Sequence, residues 1–90
     1  MKEFSVDNFV VSIDDELFEK AVKYGILDGD NQEINYHILK NYIRASSCEK
    51  LEDLKTFSYE NLRVLHSNEE ISARVCSLLK EEIAGFEGTI

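Results

Sequence analysis

The chain has 90 residues, 43% apolar and 31% charged, with ten Lys and Arg against eighteen Asp and Glu and a net charge of −8. That length fits one domain, and the balance is that of a globular chain rather than a disordered one. The negative charge argues against broad affinity for nucleic acid or anionic lipid, which attract cations. No apolar run is long enough for a membrane span or a secretory leader, so a cytoplasmic location is expected.

Residues 4–13 carry Phe9, Val11 and Ile13 at alternate positions. Period two predicts a short strand with those three on one face and Asn8, Val10 and Ser12 on the other. Asp14-Asp15-Glu16 follows, and acids suit a first helical turn because the macrodipole favours negative charge there. This helix carries Leu17, Phe18, Ala21, Val22 and Tyr24, and is expected to end between Gly25 and Gly29. Asp30 or Asn31 caps a second helix, with Glu33 placed for a reciprocal capping box. Its apolar residues, Ile34, Ile38, Leu39, Tyr42 and Ile43, recur at three and four. Shorter helices are expected over residues 48–56, with Leu51 and Leu54, and 58–66, with Tyr59, Leu62 and Leu65. Ser67-Asn68-Glu69-Glu70 reads as a capping box opening a last helix with Ile71, Val75, Leu78, Leu79 and Ile83 inward, stopped by Gly85. The fold class is therefore mainly α, a short N-terminal strand followed by about five helices.

The chemistry-bearing residues converge on no reaction. Cys48, Cys76, His37 and His66 form no close ligand pair, so neither a zinc site nor any other metal or cofactor is expected. Asp28-Gly29-Asp30-Asn31-Gln32-Glu33 begins like a calcium loop, but the sixth position is Glu33 and the twelfth Leu39, where an EF-hand needs Gly and a bidentate Glu. A turn leading into a helix cap explains it better. Gly25, Gly29, Gly85 and Gly88 make no phosphate loop. The expectation is a protein that is not an enzyme.

A lone strand cannot satisfy its own backbone N–H and C=O groups. No second strand is evident in the sequence, so a homodimer joined through Phe9, Val11 and Ile13 is expected; packing of the strand on its own helices is the plain alternative. The order strand, helix, turn, helix over residues 8–44, with Ile13-Asp14-Asp15-Glu16-Leu17, Gly29, Asn31 and Tyr42-Ile43, resembles RelB/DinJ-type antitoxins of the ribbon-helix-helix superfamily. The resemblance covers about half the chain. It implies a dimerisation module over 1–45 and a helical acidic partner-binding segment over 46–90. It further implies DNA contact by Asn8, Val10, Ser12 and Asn31, and toxin contact through Leu51, Leu54, Phe57, Leu62 and Leu65. The sequence departs from that pattern where Val10 occupies a groove-facing position and Asp28 and Asp30 stand where phosphate would approach. The functional expectation is an acidic antitoxin-like regulator that neutralises a basic protein partner and autorepresses its operator. The alternative is an acidic helical adaptor or inhibitor, for example phage-encoded and nucleic-acid-mimicking, that binds a host protein and not DNA.

Overall fold

The computed structural model describes residues 1–88, apart from the side chains of Leu51 and Leu65. Two strands, β1 (Lys2–Val6) and β2 (Phe9–Ile13), form an antiparallel hairpin, with Phe4 opposite Val11 and Val6 opposite Phe9. The turn is Asp7-Asn8, and Asp7 takes a positive φ of 51°. Positive φ at the first central residue matches the primed turns whose twist suits a hairpin, and Asp tolerates that region.

This hairpin corrects the lone-strand expectation. The mate of β2 is β1 of the same chain, not a strand from a twin molecule. Phe9, Val11 and Ile13 alternate inward as expected, but their exposures are 1%, 0% and 0% within one chain. They belong to its own core and present nothing to a second copy, so the premise of the homodimer is gone.

Among the described residues four α-helices follow: α1 (Asp15–Lys23), α2 (Gln32–Ser47), α3 (Tyr59–Leu65) and α4 (Asn68–Glu87). Where a fifth was expected, Leu51–Lys55 makes only a 3-10 turn. Asp15 and Glu16 occupy the first turn of α1. At its end Gly25 adopts φ +77°, and the Ile26 amide reaches back to the Ala21 carbonyl at 2.8 Å. That is a left-handed C-terminal cap, which glycine makes without a Cβ penalty. Asn31 rather than Asp30 caps α2, its side chain accepting from the Ile34 amide at 3.2 Å. Ser67 caps α4 by accepting from the Glu70 amide at 3.3 Å. Gly85 does not stop α4, which continues to Glu87.

The core joins the inner face of the hairpin (Phe4, Val6, Phe9, Val11, Ile13) to Leu17, Phe18 and Ala21 of α1, Leu39 and Ile43 of α2, Leu62 of α3, and Ile71, Val75, Leu79 and Ile83 of α4. It draws on both sides of the expected 45/46 boundary, and α4 packs directly on β2. Apolar burial is thus pooled in one core, as a chain this short requires. Among the described residues, no helix is long and apolar enough to cross a membrane.

Candidate partner-binding trough

A two-stranded hairpin leaves an outer edge on each strand, and exposed edges invite uncontrolled pairing. On β2 the outward backbone groups belong to Val10 and Ser12, and side chains one helical turn apart on α4 meet them. The Asn68 side-chain oxygen accepts from the Val10 amide at 3.4 Å. The Ser72 hydroxyl accepts from the Ser12 amide at 2.9 Å and donates to the Val10 carbonyl at 3.3 Å. The Cys76 thiol donates to the Ser12 carbonyl at 3.5 Å. Residues at i, i+4 and i+8 share one helix face, so α4 substitutes for a third strand using side chains alone. Burial pushes the Cys76 thiol upward, against the opposing influence of the Asp14 backbone hydrogen bond and Lys80. It therefore stays protonated at neutral pH, as a donor must.

Beside this seam lies a groove of about 630 Å³, bounded by Met1, Val10, Ser12, Asp14 and Leu17 on one side and by Asn68, Glu69, Ser72, Ala73, Cys76 and Lys80 of α4 on the other. A second depression of about 400 Å³ shares Asp14, Leu17 and Lys80 and runs on between α1 and α4 past Glu16, Lys20, Ile83, Ala84 and Glu87. Together they form a trough along α4. Met1 and Val10 are large apolar side chains left exposed at its wall. The Met1 ammonium is held by the Asp15 carboxylate at 2.9 Å. Among the described residues, ion pairs to lysine or the N-terminus engage only Asp7 and Asp15 of the acids, and Glu70 meets the His66 imidazole at 2.8 Å.

The trough takes in Val10 and Ser12 from the residues expected to contact DNA, but not Asn8 or Asn31. Asn8 is exposed in the hairpin turn, and Asn31 spends its side-chain oxygen on capping α2. Of the expected apolar anchors, Leu62 is buried in the core at 5% exposure, so it is no surface anchor. Phe57 is half-buried, edge-on to Tyr59 with ring centroids 4.5 Å apart and under the Arg44 guanidinium. Leu54 is half-buried and its carbonyl accepts from Arg44 at 3.2 Å. Leu51 and Leu65 have side chains outside the described residues. Among the trough residues that sequence reasoning missed are Asn68, Ser72, Ala73 and Lys80; the polar Asn68–Ser72–Cys76 stripe beside the apolar Ile71–Val75–Leu79 stripe was the available signal.

A second cluster ties the hairpin turn to the helices. Asp7 accepts a short hydrogen bond from the Tyr36 hydroxyl and pairs with Lys40 at 3.9 Å. The Lys40 ammonium lies over both the Tyr36 and Tyr59 rings, 5.6 Å from each centroid. The hydrogen bond to Asp7 holds the Tyr36 phenol above its ordinary value, and burial pushes Tyr59 up to about 12. Neither phenol exchanges a proton readily near neutral pH, so the arrangement suits a staple rather than acid–base chemistry. In the α1–α2 loop the Asp28 carboxylate accepts from the Asp30 and Asn31 amides at 3.1 and 3.0 Å. Those bonds hold its carboxyl below the ordinary range. Among the described residues no three His, Cys, Asp or Glu converge as metal ligands. Comparison with family models, curated proteins and solved structures gives no match for this chain.

Proposed function

We propose that the chain is a small acidic binding protein, an adaptor or inhibitor that docks on a basic protein partner and not on DNA. The observation that carries this reading is the trough along α4, whose first depression has an apolar lining of Met1, Val10, Leu17 and Ala73 and which carries four carboxylates (Asp14, Glu16, Glu69, Glu87) against Lys20 and Lys80, on a chain of net charge −8. Apolar contact supplies affinity there, while carboxylates steer a cationic surface and set register. A basic toxin is one such partner and a basic host enzyme another. The DNA reading loses support because the β2 edge is closed by α4 and the flanking charge repels phosphate.

The test is a titration, followed by amide chemical shifts, with a basic amphipathic peptide, its acidic counterpart of identical apolar pattern, and a DNA duplex. The basic peptide should move the Val10, Ser12 and Ala73 signals, with affinity falling as salt rises. Equal binding of the acidic peptide, preferential binding of the duplex, or shifts confined to surfaces away from α4 would refute the reading.

A further inference from the structure

We propose that the trough receives a basic amphipathic helix of the partner rather than an extended strand; this rests on the binding reading above and specifies its mode. A strand that docks beside a sheet is held by main-chain hydrogen bonds to a free edge. At the trough wall that edge is closed. The outward groups of Val10 and Ser12 are already taken by Asn68, Ser72 and Cys76. An occupant must therefore be recognised through side chains alone and must satisfy its own backbone, which a helix does.

The shape agrees. The two depressions are continuous through Asp14, Leu17 and Lys80 and follow α4 from Asn68 to Glu87. At ~1.5 Å per residue that is roughly 29 Å, or about five helical turns. Ala73 and Ala84 lie eleven residues apart, three turns along one face of α4, and both are exposed. Their small side chains let a second helix approach closely beside α4. Four carboxylates (Asp14, Glu16, Glu69, Glu87) stand against two lysines (Lys20, Lys80) along the lining, and the third cation there, the Met1 ammonium, is paired with Asp15. The occupant's polar flank is accordingly basic.

Two peptides of one Lys/Leu composition provide the probes. One is ordered in a heptad pattern that forms a helix and the other in strict alternation that forms a strand. Each is titrated into the intact chain, with affinity, amide shifts and hydrogen exchange followed together. The heptad peptide should bind at least tenfold more tightly, move the Val10, Ala73 and Ala84 signals, and leave the Ser12 amide protected. Tighter or equal binding by the alternating peptide, or loss of Ser12 protection on binding, overturns the helical mode while leaving a basic partner in place. No binding by either peptide, or undiminished binding to the Asp14→Asn/Glu69→Gln double variant, overturns both.

Discussion

The Ser72 hydroxyl bridges the outer edge of β2, accepting from the Ser12 amide at 2.9 Å and donating to the Val10 carbonyl at 3.3 Å. Ser72 is buried at 8% exposure, so its removal leaves two strand groups short of partners where water has poor access. Leaving a buried donor or acceptor unmade costs about 1–3 kcal/mol. Ser72→Ala should therefore lower unfolding free energy by about 1–3 kcal/mol in urea titrations. The Ser12 amide should lose hydrogen-exchange protection more than the Val11 amide, which points at β1. Equal loss at both positions would mean general loosening, not an opened edge.

Asn35 does the same work for the α1–α2 loop. It is 1% exposed, accepts from the Asp28 amide at 2.9 Å and donates to the Asp28 carbonyl at 2.7 Å. Asn35→Leu keeps the volume but strips both partners from the loop. The expected loss is about 2–4 kcal/mol, from two unmade bonds. Asn35→Asp keeps the acceptor and places a carboxylate against the Asp28 carbonyl, so it should be less stable still at neutral pH and recover partly on acidification. Urea midpoints at neutral and acidic pH check both.

The tyrosines make stability fall at alkaline pH. Burial is the main cause of the upward shift at Tyr42 and Tyr59, with Glu82 adding to the first and Asp7 to the second. A folded pKa above the unfolded value of 10.0 means that the native state holds its phenol proton more tightly. The contribution is complete below pH ~10 and is lost as pH rises through the folded value, about 12 for Tyr59. The melting temperature should therefore drop steadily above pH ~10, less steeply in Tyr59→Phe, where no phenol titrates. In Asp7→Asn the Tyr36 phenol should titrate closer to its ordinary value, because its acceptor is no longer charged. Ultraviolet titration of the phenolates reads this directly.

Much of the helical framework was readable because its signals are local. Ser67 and Glu70 lie three apart and make the Ser67 half of the expected α4 capping box, the Glu70 carboxylate meeting His66 instead, and the α2 stripe placed Leu39 and Ile43 in the core. The cap of α2 is decided by one residue's geometry, and Asn31 takes it from Asp30. β1 was missed because Lys2–Val6 has only two apolar residues in alternation, Phe4 and Val6, between charged and polar neighbours. The Asp7-Asn8 pair between Val6 and Phe9 was the stronger clue, since both residue types tolerate a hairpin turn. The closure of β2 by Ser72 spans sixty residues of sequence. No periodicity signals it, because it depends on where α4 lands after four other elements have packed. The trough follows from that landing, and so could not be read in advance.

Val10 and Val11 offer the sharpest test of the strand's orientation. They are neighbours in sequence and chemically identical, but Val10 is 39% exposed at the trough while Val11 is 0% exposed beneath the hairpin. Val11→Asp would force an unpaired carboxylate into the core beside Phe4 and the α4 side chains packed on β2, or raise its pKa until it stays protonated. Either way the cost is several kcal/mol, comparable with the whole stability of a small domain. Val10→Asp leaves its carboxylate in water, so the fold should survive with a change of less than ~1 kcal/mol. Far-ultraviolet circular dichroism should thus show Val11→Asp largely unfolded at 25 °C and Val10→Asp native-like. Binding of a basic amphipathic peptide to Val10→Asp should weaken through loss of apolar contact even as the local charge becomes more favourable. Similar unfolding of both variants would place both valines in the core and remove the outer wall of the trough.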